Sequence, residues 1–180
     1  MCDTLGVVSL LVVSGPPGAG KSTVARILAD RHSPSALVEG DEFFRFLRAG
    51  RIDPWRVEAR DQNAVITDIQ ATVAGRYCSA GYRAIYDGVL GSWFLERFVV
   101  AAGVPVDFAV MLPTIETCLH RIRTRVGHDF HNEDAARALH RQFSVESPDA
   151  RHVVDSSQSS AAETAAEIES RRAAGSLRVG

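Results

Sequence analysis

One octet, Gly15-Pro16-Pro17-Gly18-Ala19-Gly20-Lys21-Ser22, restricts what this chain can fold into more than any other stretch. Its spacing, Gly-x-x-x-x-Gly-Lys-Ser/Thr, is that of a loop whose backbone amides cradle phosphates. Such a loop works where a strand runs into a helix, so that amides and helix N-terminus converge on one point. The flanks supply both elements. Residues 7–13 form an apolar, valine-rich run, as expected of a parallel strand buried on both faces. Residues 22–29 read as a helix with Val24, Ile27 and Leu28 on one side.

Lys21 is the chain's only lysine, every other basic side chain being arginine or histidine. A compact ammonium can follow a moving phosphoryl group, which a planar guanidinium fork cannot do as well. Gly15, Pro16, Pro17, Gly18, Ala19, Gly20, Lys21, Ser22 and Thr23 are therefore expected to hold a nucleoside triphosphate. Lys21 would reach its β- and γ-phosphates, and the Ser22 hydroxyl would ligate Mg²⁺. Pro16 and Pro17 stiffen the loop but donate no N–H, which leaves donation to the later residues.

The 180 residues suit one domain spanning the whole chain, a sheet with helices on both faces. No apolar run approaches the ~20 residues of a membrane span. The N-terminal apolar stretch runs straight into the phosphate loop without a basic region before it, so a cytoplasmic protein is expected. Cys2, Cys78 and Cys118 are odd in number and widely spaced, which indicates neither a disulfide framework nor a zinc knuckle. A formal net charge of −2 argues against a large nucleic-acid footprint. Oligomeric state is not legible.

Four further strand candidates follow: 36–39, 83–86, 106–112 and 152–154, each separated from the last by helical sequence. Strand alternating with helix implies a parallel sheet with right-handed crossovers. Ligands in such sheets gather at the carboxyl ends of the strands. Asp41, Asp87 and Asp155 follow three of those ends. Between the second and third strands lies a long insertion, residues 42–80. Phe43, Phe46 and Leu47 would share one helical face there, and Val65, Ile69, Val73 and Tyr77 another, packed on the sheet. Helices are also expected over 93–102, 116–126, 133–143 and 161–174, the last capped from 156–160, with fraying after Gly175.

The sequence now resembles the small P-loop kinases related to nucleoside monophosphate kinases, with closest similarity to the chloramphenicol phosphotransferase and zeta-toxin group. The resemblance is carried by Gly15–Ser22, by Gly40-Asp41, by Asp87-Gly88-Val89-Leu90-Gly91 and by Arg121-x-Arg123-x-Arg125. Gly50-Arg51-Ile52-Asp53-Pro54-Trp55 is similar to a segment of uncharacterised bacterial kinases of this type. It implies a three-layer α/β fold with a five-stranded parallel sheet in the order 2-3-1-4-5, an acceptor-binding insertion at 42–80 and a lid near 121–132. Two departures keep either specific substrate from being carried over. Phe43 fits the zeta-toxin pattern, but Phe44 stands where that pattern has arginine and Arg45 comes one later. Pro16 and Pro17 replace serines of the chloramphenicol enzyme.

In the resembling kinases the aspartate at position 41 contacts the acceptor hydroxyl and can take its proton. Its bland alternative is a helix N-cap. Asp87 would either orient the Mg²⁺ water shell or position the acceptor, or else mark a turn. Arg121 and Arg125 point the same way on one helix; the resemblance implies that lid arginines at such positions stack on adenine or clamp the transferring phosphate, the bland alternative being an exposed basic face. Arg123 faces elsewhere. His128 and His131 read as surface residues. Phe44, Arg45, Trp55 and Asn63, with Asp41 and Asp87, are the acceptor candidates, and Arg48, Arg51, Arg60 and Gln62 offer further charge and hydrogen bonds.

The expectation is an ATP–Mg²⁺ kinase acting on a hydroxyl of a small molecule, such as an antibiotic, sugar, nucleoside or nucleotide sugar. The alternatives are a regulatory nucleotide-binding ATPase and a polynucleotide or tRNA kinase. No Asn-Lys-x-Asp is present, and no second lysine exists to build one, so guanine recognition of the Ras type is excluded.

Overall fold

The computed structural model describes residues 9–124, 130–146 and 149–180. Its centre is a parallel sheet of β1 (Leu10–Ser14), β2 (Ser35–Glu39), β3 (Arg83–Asp87), β4 (Val106–Met111) and β5 (Val153–Val154). The order across the sheet is β2-β3-β1-β4-β5, as the resemblance implies. β1 alternates in two directions at once. Leu10 and Val12 enter one core with α3 (Arg60–Ser79), α4 (Ser92–Ala102) and α6 (Glu133–Val145). Leu11 and Val13 enter the other, with α1 (Lys21–Asp30) and α7 (Ala161–Ala173). A strand apolar on both faces can be satisfied only by helices above and below it.

Register decides what stands together at the carboxyl edge. Val13 is level with Asp87, and Asp87 is level with Glu39. The residues just beyond these three positions, Gly15, Gly88 and Asp41, therefore emerge side by side. α5 (Ile115–Thr124) and α6 share a small satellite core of Leu119, Ile122 and Ala136.

The insertion departs from the expected faces. A four-residue helix α2 (Gly40–Phe43) tightens into a 3₁₀ turn over Phe44–Phe46, and Phe46 is 76% exposed. On α3 the sheet-facing residues are Ile66, Gln70, Ala71, Ala74 and Cys78, one position on from the expected stripe; Val65, Ile69 and Tyr77 face outward. The reason is steric. A Cβ on Gly75 would lie 2.0 Å from the Ala102 carbonyl oxygen, so at that point α3 and α4 approach too closely for any side chain. Val65, Ile69 and Tyr77 turn to the outside, where Tyr77 packs edge-on against Tyr82, while Val73 of the expected stripe still packs against the core. Gly81 takes the left-handed conformation that ends α3, as expected.

The C-terminal residues are held, not frayed. β5 covers only the upper part of the β4 edge, at Val110 and Met111. Below it the tail runs antiparallel, with the Phe108 amide donating to the Leu177 carbonyl at 2.8 Å and the Val179 amide to that of Val106 at 3.0 Å. Leu177 is fully buried. Asp107, also buried, accepts from Ser9, from Arg172 at 2.9 Å and from Arg178 at 2.8 Å. Burial raises its pKa, but these three donors outweigh burial and hold it below the ordinary carboxylate value. Among the described residues no helix is long and apolar enough to cross a membrane.

Removing one partner of a buried ion pair strands the other, at a cost of roughly 3–5 kcal/mol. Arg172→Ala is therefore expected to lower the urea-unfolding free energy by about 3 kcal/mol, softened by the remaining Ser9 and Arg178 donors. A loss under ~0.5 kcal/mol, within the range of ordinary surface substitutions, would show that the network stabilises nothing.

Candidate functional site

The phosphate loop is fixed from below by its glycines. A Cβ on Gly15 would stand 2.2 Å from the Met111 carbonyl oxygen, and one on Gly18 would stand 2.4 Å from that of Cys118. Both also have positive φ, at +142° and +81°, so a side chain is barred twice over. The Ser14 hydroxyl donates to the Leu90 carbonyl at 2.6 Å and accepts from the Leu90 amide at 2.9 Å. That reciprocal pair ties the end of β1 to the loop after β3. The Lys21 ammonium donates to the Pro16 carbonyl at 3.1 Å, which folds its stem back across the loop. Gly15 and Pro16 thus form the underside of the loop, while Pro17 to Thr23 line an open cavity of about 1360 Å³.

That cavity gathers most of the expected residues. Asp41, Phe44, Arg45, Trp55, Asn63, Asp87 and Arg121 all line it. Asp41 lies inside α2, whose N-cap is Glu39, so the cap reading of Asp41 does not hold. Asp87, at the last position of β3, is 6% exposed. Burial raises its pKa most; Lys21 and a hydrogen bond from the Ser22 hydroxyl pull it down, and Asp41 and Glu39 push it up again. The net direction is upward, which marks a carboxylate short of positive partners.

Arg121 already has protein partners. It donates to the Ala19 carbonyl and to the Ser156 carbonyl, each at 2.9 Å, and so straps the phosphate loop to the segment after β5. Arg123 faces elsewhere, as expected, and there pairs with Glu133 at 2.7 Å. Arg125 and His128 lie outside the described residues; His131 is exposed. Ser160 caps α7 in a reciprocal box with Glu163. Asn63 donates to the Pro54 carbonyl at 2.7 Å, and Gln62 clamps Ile52 through both its amide and its carbonyl, at 2.8 and 2.7 Å. Arg45 pairs with Glu42. Trp55 meets Phe130 edge to face at a 5.5 Å centroid separation.

Sequence reasoning missed a buried relay beneath Asp41. The Tyr86 hydroxyl donates to Gln70 Oε1 at 2.9 Å, and Gln70 Nε2 donates to the Gly40 carbonyl at 2.8 Å. Tyr86 is 2% and Gln70 4% exposed. Burial, then Asp41 and Asp87, push the Tyr86 hydroxyl far above its ordinary pKa, so it stays a neutral donor. The relay fixes the backbone that carries Asp41. Gln70 sits in a helix between Ile69 and Ala71, and nothing in its sequence neighbourhood distinguishes it from a surface glutamine.

The donor set suits a divalent cation: a hydroxyl oxygen at Ser22 facing a buried, under-compensated carboxylate at Asp87, beside a loop shaped for phosphates. Among the described residues no group of three or more His, Cys, Asp or Glu side chains forms a metal cage. Mg²⁺ is bound by one or two side chains and keeps its remaining ligands from water and phosphate.

Residues 10–145 match a protein-family model described as an AAA domain. The fold is similar to that of a sugar kinase from Janibacter sp. HTCC2649, with a TM-score of 0.70 at 19% identity, covering 92% of this chain and 95% of that one. It is similar to the Deinococcus radiodurans tunicamycin resistance protein, with a TM-score of 0.66 at 16% identity over 91% and 95%. A gluconokinase from Sinorhizobium meliloti 1021 gives 0.64 at 17% identity over 94% of both chains. The architecture is that of the small P-loop kinases.

A carboxyl whose folded pKa exceeds its unfolded value contributes stability that is full below the unfolded value and lost as pH rises through the folded one. Asp87→Asn removes that loss. It is expected to raise Tm at pH 7 by about 2–4 °C, the equivalent of ~1 kcal/mol in a chain of this size. The same variant should lose the extra stabilisation that Mg²⁺ adds to bound nucleotide. Melting curves with and without Mg²⁺–nucleotide read both effects, and a lowered Tm at pH 7 would contradict the burial argument.

Proposed function

We propose, from the premise that the chain belongs to the AAA-domain family, that it transfers the γ-phosphate of ATP to a hydroxyl of a small molecule. The observation that carries this reading is one cavity holding two kinds of apparatus. Its inner part is the phosphate loop with Lys21, Ser22 and Asp87; its outer part is the insertion, with Asp41, Phe44, Trp55 and Asn63. A regulatory nucleotide-binding protein needs only the first part. The volume beyond the loop and the aspartate at its border fit a second substrate. The kinase-fold neighbours, among them a sugar kinase and a gluconokinase, support the same reading.

Phosphoryl transfer demands gripped phosphates, an aligned acceptor and positive charge on the moving group. The amides of Gly18 to Ser22 and the N-terminus of α1 would grip the β-phosphate. The Lys21 ammonium would exchange its Pro16 carbonyl for phosphate oxygens, a neutral acceptor for a charged one. Ser22 and Asp87 would hold Mg²⁺, whose chemistry is to neutralise charge on the β- and γ-phosphates. Asp41, exposed to the cavity, would accept the proton of the attacking hydroxyl, while the Tyr86–Gln70 relay holds its backbone in place. Arg121 is positioned at the loop's edge through Ala19, where its remaining donor capacity would face the triphosphate.

Lys21→Ala should abolish ATP binding measured by calorimetry. Asp41→Asn should keep that binding within about threefold yet lose 10²-fold or more of phosphate transfer, the range of a general base. Transfer would be followed as ADP release against a panel of hydroxylated metabolites and antibiotics. Full transfer by the Asp41 variant would remove the base from the mechanism. ATP should stabilise the protein more than GTP in Mg²⁺ thermal-shift titrations, and equal or reversed stabilisation would overturn the choice of nucleotide.

A further inference from the structure

The outer wall of the cavity carries charge that the transfer chemistry leaves unused. Arg45, Arg51, Arg56 and Arg60 all line it. Arg45 is held by Glu42 at 2.9 Å and Arg56 by Glu58 at 3.4 Å, and both pairs are solvent-exposed. Exposed pairs of this kind contribute only ~0–1 kcal/mol, so a better-placed anion displaces them at little cost. Arg51 and Arg60 have no ion-pair partner among the described residues. Arg60 also borders a side groove lined by Asp61, Asp68 and Glu96; Asp68 there is committed to Arg97 through two bonds, at 2.7 and 2.5 Å, and Arg60 is ion-paired with none of the three.

These guanidiniums do not hang from a free loop. Gln62 grips the residue after Arg51 on both its backbone groups, and Asn63 holds Pro54. The 51–55 segment is thereby fixed against the first turns of α3, of which Arg60 is the first residue. The strand ends contribute the opposite sign to the same cavity, with Glu39, Asp41 and Asp87. The cavity thus carries carboxylates at the strand ends, beside Lys21 and Arg121, and arginines along the insertion, with Glu42 and Glu146 also in its lining.

We infer that the acceptor carries an anionic group, a carboxylate or a phosphate, remote from its reactive hydroxyl, and that Arg51 and Arg60 bind it. This rests on the phosphotransferase reading. An acceptor with its hydroxyl at Asp41 turns its far end toward the insertion. A neutral far end gains little from two guanidiniums, whereas a carboxylate or phosphate gains paired, charge-assisted hydrogen bonds in a fork geometry.

Both of the chain's tryptophans, Trp55 and Trp93, line this cavity, so intrinsic fluorescence reports its occupancy. The phosphate loop is first filled with Mg²⁺ and a non-hydrolysable ATP analogue, checked by calorimetry, so that added anions cannot enter it. Inorganic phosphate, acetate and glycerol are then titrated at constant ionic strength. Phosphate or acetate should give a saturating change that glycerol does not. Arg51→Ala/Arg60→Ala, and equally the Arg51→Gln/Arg60→Gln pair, should weaken it by about tenfold or more, the loss of one good charge-assisted interaction.

Tighter phosphate binding indicates a phosphorylated acceptor, and tighter acetate binding a hydroxy acid. Coincident curves for wild type and variants, flat ones included, overturn the inference and leave the kinase reading standing. An equal response to glycerol does the same. Failure of the ATP analogue to bind wild type strikes the kinase reading itself, and the inference falls with it.

Discussion

Parallel register between β1, β3 and β2 is the constraint from which the rest of the site follows. Val13, Asp87 and Glu39 lie level across three hydrogen-bonded strands. Backbone geometry then leaves no freedom: two residues past Val13 the chain must open the phosphate loop, and two past Glu39 it must present Asp41. A slip of one residue in either pairing would turn every side chain of that strand to the other face. Leu10 and Val12 would then leave the core they share with Phe98 and Phe108. The site is held in place by the same apolar burial that holds the sheet together.

Onto this frame the molecule adds polar ties that each join two elements of the site. Ser14 ties β1 to Leu90, Arg121 ties the phosphate loop to the segment after β5, and Tyr86 with Gln70 ties β3 through α3 to Gly40. All are short, and those of Ser14, Tyr86 and Gln70 are buried, where an unmade hydrogen bond is costly. Buried donors with fixed partners are what keep reacting groups within fractions of an ångström of one geometry. Asp87 is the exception. It is buried with too little positive charge around it, a tension of the kind that concentrates at functional sites.

The contrast between the two ends of the sheet is instructive. At the amino end, Asp107 is as buried as Asp87, yet it accepts from Ser9, Arg172 and Arg178 and its pKa falls. At the carboxyl end, Asp87 has one hydroxyl and one ammonium nearby, and its pKa rises. The first arrangement is complete within the protein and serves stability. The second has capacity left for a cation.

The phosphate loop, the two strand-end aspartates and their convergence were legible in the sequence as local pattern, whereas the strand order was implied by the resemblance to the small P-loop kinases. An apolar run followed by glycines and a lysine admits one backbone course, and strand–helix alternation admits one handedness. What only the tertiary structure decided lay where two distant segments meet. Around Gly75 the inward face of α3 went to Ala71, Ala74 and Cys78, because α4 comes too close there for larger groups. The tail after Gly175 is ordered because β5 is too short to cover the β4 edge. Gln70 gained its place because Gly40 and Tyr86 fold against it from either side. Periodicity records which residues share a face. It does not record how near the neighbouring element will pack or which polar atom will be left wanting a partner, and those are set only when the chain closes on itself.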